Sequence, residues 1–215
     1  MKDFYNKYLN NEIQLERWQK IGIICCVIVF GGVFGWLYEF IFYFFNSGMK
    51  TFYYRGANFL PWINIYAIGA LMIMFLTRKY KKKPLMVFLI AAISTGILEY
   101  FAGFMMYHLD GGIRCWDYNT EILNFGNIDG YVCLRSVTSF GISALFLMYA
   151  VVPMYIIISQ KCPKNVFLIV SISVCTIFLL DELYNLIFAR IFDLPRARDV
   201  YSKIGYQYMD YYKNS

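Results

Sequence analysis

Four carboxylates, Glu39, Glu99, Asp181 and Glu182, stand inside stretches that are otherwise apolar. A charged side chain near the centre of a bilayer costs roughly 2.5–3.5 kcal/mol even on lenient insertion scales, so such a residue faces a partner or a wet cavity. Left charged and unpaired, the four together would cost on the order of 10 kcal/mol. Two kinds of chemistry meet that demand. The acids line a binding or conduction cavity for a polar or charged solute, or they pair with arginines and lock loops to the membrane-embedded body. Three arginines in polar connections, Arg55, Arg114 and Arg135, are the natural counterparts, because the guanidinium fork suits a carboxylate partner and an anionic ligand equally.

The elements that must position these residues are membrane spans. The chain has 215 residues, 60% of them hydrophobic and 16% charged, and its apolar residues come in long blocks instead of alternating with polar ones. Five blocks near the ~20 residues that cross a bilayer lie at about 21–45, 59–76, 84–107, 137–159 and 166–188. Without alternation they are helices and not barrel strands. The expected fold is all-α, a polytopic bundle over 21–190 with about five spans. An interfacial segment over 1–20 precedes it, and a basic, tyrosine-rich tail (Tyr201, Tyr206, Tyr208, Tyr211, Tyr212) over 191–215 follows. Residues 108–136, with Trp116, Tyr118, Phe125 and Tyr131 among acids and glycines, predict one structured extracytoplasmic loop. Residues 1–20 are too polar for a cleavable signal, so the first block both targets the chain and stays in the membrane.

Orientation follows from Arg78, Lys79, Lys81, Lys82 and Lys83, which mark the connection between the second and third spans as cytoplasmic. The N-terminus falls on that side, and five spans put the basic tail (Arg196, Arg198, Lys203) on the other, so either the rule is broken there, the last hydrophobic segment re-enters, or the span count is wrong. At 1.5 Å per residue, Glu39 lies 19 residues past Lys20, Glu99 15 past Pro84 and Asp181 16 past Asn165. All three sit beyond the midplane, toward the side that holds Arg55, Arg114, Asp117 and Arg135. Glu39, Arg55, Glu99, Arg114, Asp117, Arg135 and Asp181 are therefore the candidate binding residues of one outward-facing polar cavity. Asp181 and Glu182 point about 100° apart on a helix and cannot both face its centre.

Other features are structural. Gly31, Gly32 and Gly35 allow close helix approach; Pro61 and Pro153 mark kinks. Cys115 and Cys133 share the polar loop, where a disulfide forms if the loop faces an oxidising compartment. His108 is the sole histidine, no metal-ligand spacing occurs, and no cofactor is implied. The net charge of +6 is concentrated at span ends, which suits the membrane surface and not nucleic acid. No Walker A loop, Ser-His-Asp set or HExxH occurs, so nothing positive points to an enzyme.

Several stretches in order carry a resemblance: Gly35-Trp36-Leu37-Tyr38-Glu39; Arg55-Gly56 leading to Pro61 and Ile65-Tyr66; Leu98-Glu99-Tyr100 with Gly103; Trp116-Asp117-Tyr118; Asn124-Phe125; and Gly130-Tyr131-Val132-Cys133-Leu134-Arg135-Ser136 with Gly141. Over roughly 30–155 the chain resembles the putative ABC-transporter type IV family of small bacterial multi-span proteins. The chain departs from that pattern at Asn58-Phe59-Leu60-Pro61-Trp62-Ile63-Asn64, where the family usually carries a glycine-proline and further glycines, and at Cys115, where another aromatic is common. The resemblance implies a permease-like transport component in a bacterial cytoplasmic membrane, working with a separate ATPase subunit, with the lipid bilayer as its surroundings and a homo-oligomer left open. Two other readings stand beside it: a membrane-embedded enzyme acting on a lipid or lipid-linked substrate, and a non-transporting structural or regulatory subunit.

Overall fold

The computed structural model describes residues 2–50, 53–109 and 114–205, and among them the chain is helical without a strand. The elements are α1 (Lys2–Leu9), α2 (Arg17–Asn46), α3 (Asn64–Thr77), α4 (Pro84–Leu109), α5 (Leu134–Lys161), α6 (Lys164–Ile191) and α7 (Ala197–Lys203). Helices α2, α4, α5 and α6 are long and apolar enough to cross a membrane. Apolar side chains such as Leu85, Ile93 and Ile169 point outward, and a helix that is hydrophobic all round needs either a large protein core or lipid about it.

The second expected span differs from the others. Helix α3 has only 14 residues, about 21 Å at 1.5 Å per residue, against a hydrocarbon core of ~30 Å. Its run-in, residues 53–63, is irregular, because Pro61 has no N–H to donate and disfavours helix at the residue before it. Helix α3 starts level with the middle of α2, where the Ile63 N–H donates to the Gly32 carbonyl (3.0 Å). Irregular backbone at such depth is tolerated only when protein satisfies it; α6 does so through Asp181, and Glu182 holds the Asn58 side chain. The glycines of α2 pack as the sequence predicts. A Cβ at Gly35 would lie 2.1 Å from the Tyr66 ring, and one at Gly31 2.7 Å from Cβ of Ala70.

One end of the bundle gathers the basic residues. Gln19 Nε2 donates to Ser159 Oγ (3.2 Å), and the Tyr149 hydroxyl donates to the Lys81 carbonyl (2.7 Å). The start of α2, the end of α5 and the 78–83 turn are thereby joined. Helix α1 folds against this end, with Tyr8 fully buried. Pro153 cannot donate to the Tyr149 carbonyl four residues back, and α5 opens into a π turn at Leu147–Val151. The hydroxyls of Tyr5 and Tyr8 donate to the carbonyls of Tyr149 (3.0 Å) and Met148 (2.6 Å). The Lys81 ammonium lies 3.7 Å from the centre of the Tyr8 ring and donates to the Tyr8 carbonyl. Burial lowers its pKa to about 8.

At the opposite end, α7 closes onto α6 and the 53–63 segment. The Ala197 N–H donates to Asn185 Oδ1 (2.7 Å) and the Tyr201 hydroxyl to the Phe59 carbonyl (2.6 Å). Arg196, Arg198 and Lys203 thus lie at the end away from the basic 78–83 turn; Tyr206, Tyr208, Tyr211 and Tyr212 lie outside the described residues. No disulfide joins Cys115, which is exposed, to Cys133, which is buried at the start of α5.

Candidate functional site

A cavity of about 600 Å³, its open mouth included, lies between α2, α3, α4, α5 and the 114–133 loop. Helix α2 contributes Phe34, Tyr38, Glu39, Phe42 and Tyr43, spaced so that side chains three and four apart share a face. Helix α3 contributes Ile65 and Tyr66, α4 contributes Glu99, and the loop inserts Trp116, Tyr118 and Glu121. Helix α5 presents Arg135 and a polar stripe of Ser136, Ser139 and Ser143 at helical spacing.

Three carboxylates meet two guanidiniums here. Arg55 Nε lies 2.7 Å from Glu39 Oε2, with its guanidinium 3.9 Å over the Tyr43 ring. Arg135 Nη2 lies 2.6 Å from Glu121 Oε2, with its guanidinium 3.9 Å over the Phe42 ring. The Tyr43 hydroxyl donates to the other oxygen of Glu121 (2.5 Å). Burial raises the Glu121 carboxyl above its ordinary range, outweighing the Tyr43 hydrogen bond and the Arg135 charge that favour ionisation. Glu99 accepts from the hydroxyls of Tyr118 (2.5 Å) and Ser136 (2.7 Å). Burial also raises the Tyr118 phenol, which therefore stays protonated and donating.

Of the residues expected at one site, the structure brings together Glu39, Arg55, Glu99 and Arg135. Arg114 and Asp117 work within the loop instead. Arg114 Nη1 donates to the Asp129 carbonyl (2.6 Å) and approaches Asp117 Oδ1 (3.4 Å), while Asp117 Oδ1 accepts the Asn119 N–H (2.9 Å). Gly130 must be glycine at this point. Its φ is +74° and a Cβ would lie 2.2 Å from both Arg114 and Asp117. The loop is further held by Trp116 Nε1 on the Tyr131 carbonyl (2.9 Å) and Asn124 Nδ2 on the Tyr118 carbonyl (2.8 Å).

Asp181 also lies away from the cavity. It accepts the N–H groups of Phe59 (3.0 Å) and Leu60 (2.9 Å), Trp62 Nε1 (3.0 Å) and Asn185 Nδ2 (2.8 Å). Its neighbour Glu182 accepts from Asn58 Nδ2 (2.6 Å). Both acids therefore hold the irregular run-in to α3.

Sequence reasoning missed Glu121, Tyr118 and the serine stripe. Glu121 and Tyr118 have polar neighbours in sequence, so no apolar block flags their burial. The serines repeat at three- and four-residue spacing within the fourth block, and that was the available signal. Among the described residues no group of three or more His, Cys, Asp or Glu side chains could hold a metal ion.

No curated protein and no solved structure matches the chain. A family model described as Putative ABC-transporter type IV matches residues 26–186, a stretch that contains every residue lining the cavity. With four helices able to cross a bilayer and that match over most of its length, this chain is a multi-pass membrane protein and belongs to the Putative ABC-transporter type IV family.

Proposed function

We propose that the protein is the permease component of a transporter driven by a separate ATPase subunit, and that its solute binds in the cavity of Glu39, Glu99, Glu121 and Arg135. The observation that carries this reading is the convergence of charged groups from α2, α4, α5 and the loop on one open-mouthed hollow. A structural lock needs matched pairs and no space; here a third carboxylate, Glu99, faces the hollow beside two ion pairs. The basic end sits in the cytoplasm of a bacterial cell by the positive-inside rule. Helix α3 with its irregular run-in supplies the fifth crossing, and the 108–136 loop and the cavity mouth lie outside.

The test is a tagged pull-down from gently solubilised native membranes, with co-purifying chains identified by mass spectrometry. A stoichiometric ATPase is the expected result. Recovery of well-folded protein without any ATPase would overturn the permease assignment.

A further inference from the structure

The polar cavity has a neighbour beyond the serine stripe. Phe34, Tyr66, Phe140 and Ser143 also line a second hollow of about 400 Å³, its open side included, which lies between α2, α3 and α5 and reaches Ile73 and Leu147. No charged residue lines this lower chamber, and its walls include Phe30 and Phe146. A two-part hollow, charged and hydroxyl-rich above and apolar below, matches a molecule with the same division.

The sign of the head follows from the charges above. Both guanidiniums already lie within 2.7 Å of a carboxylate, whereas Glu99 meets only hydroxyls. The rings of Tyr38, Tyr66, Tyr118 and Phe140 line the space, and aromatic faces attract cations. Arg135 Nε is buried without an acceptor, and it invites an anion. An anion there would also face Glu39, Glu99 and Glu121, so the balance favours positive charge.

The geometry points to an amphiphile as the ligand of this site, its positively charged head beside Glu99 and its unbranched apolar tail passing Ser143 into the lower chamber. This rests on the reading of the upper cavity as the solute site and adds the class of solute. Each methylene moved from water into the lower chamber strengthens binding about fourfold.

The experiment is equilibrium binding of radiolabelled decyltrimethylammonium to the full chain in zwitterionic lipid nanodiscs, with the signal of empty discs subtracted. Unlabelled hexyltrimethylammonium, tetramethylammonium and decyl sulfate serve as competitors. Expected are saturable binding, competition that weakens at least tenfold from hexyltrimethylammonium to tetramethylammonium, and none from decyl sulfate. Glu99→Gln weakens binding tenfold or more. Ser143→Leu, which fills the passage, flattens the dependence on chain length, and Ile73→Phe does the same from below. The head-charge and chain-length comparisons need no variant, so they hold even if Glu99→Gln fails to fold.

Four outcomes overturn the inference. Stronger competition by decyl sulfate makes the head anionic, and equal competition by tetramethylammonium removes the tail; both leave the cavity as a solute site. A chain-length dependence unchanged in Ser143→Leu and Ile73→Phe places the tail in lipid. Absence of saturable decyltrimethylammonium binding would remove the amphiphile, while the ATPase pull-down would still test the permease reading by itself.

Discussion

Asp181 is the residue at which a clamp and a binding site make opposite predictions, and Asp181→Asn separates them. The carboxylate accepts four hydrogen bonds, two on each oxygen: Phe59 N–H and Asn185 Nδ2 on Oδ1, Leu60 N–H and Trp62 Nε1 on Oδ2. An asparagine keeps one acceptor oxygen. Whichever way its amide turns, two donors lose their acceptor and face an NH2 group. If Oδ2 is the oxygen replaced, the Leu60 N–H is near solvent and rebinds water at little cost. Trp62 is buried, and its indole N–H loses a bond to a charged acceptor worth about 1.5–3 kcal/mol. With the remaining bonds weakened by loss of charge, the total is about 2–4 kcal/mol.

The loss is local before it is global, because the amides of Phe59 and Leu60 are held by this one side chain. Hydrogen exchange of the purified variant should show those two amides exchanging at least tenfold faster than in the parent, with α4 unchanged. Unfolding by detergent titration should report the same 2–4 kcal/mol. Arg55 rides on the same segment, so binding at Glu39 weakens only as far as the segment loosens. A variant with parental exchange and stability, but with solute binding abolished, would refute the clamp and return Asp181 to the site.

Three further outcomes follow from other residues. Burial raises the Glu121 carboxyl, so between the ordinary 4.5 and its folded value the folded state binds more protons than the unfolded. Stability of the parent therefore falls as pH rises through that window, and Glu121→Gln removes the slope in melting curves taken from pH 4 upward. For Lys81 the sign reverses. Its pKa falls from 10.5 to about 8, so the unfolded state binds more protons across that interval, and the parent gains stability relative to Lys81→Met as pH climbs from about 8. Gly35→Ala drives a methyl into the Tyr66 ring, itself packed 5.3 Å from Phe140. It should cost about 1–3 kcal/mol by overpacking, and a neutral result in the same detergent titration would show that α3 yields.

The four long helices are legible because an uninterrupted apolar run of sufficient length has one stable solution in lipid. The run at 59–76 misleads for an equally physical reason. Hydropathy is a property of side chains, and Phe59, Leu60 and Trp62 are as apolar in an extended segment as in a helix. Pro61, expected to kink the span, instead precedes the helix, which begins at Asn64.

The same distinction governs the site. The energetic argument that an acid in an apolar run must have a partner applies to Glu39, Glu99, Asp181 and Glu182 alike, but it is silent on what the partner is. The fold supplies a guanidinium for Glu39, backbone and indole N–H groups for Asp181 and a side-chain amide for Glu182. Glu121 escapes the argument because it lies in a polar loop, and its burial is created by Tyr43, 78 residues earlier, and by Arg135, 14 residues later. Glu99 is the acid of the first four that receives hydroxyl groups rather than a cation or an amide. Hydroxyls bind a carboxyl group without supplying a positive charge, so Glu99 is the acid of the four that faces the hollow with no cation beside it. That position, at the edge of a hollow with an apolar floor, is why the ligand reading concentrates there.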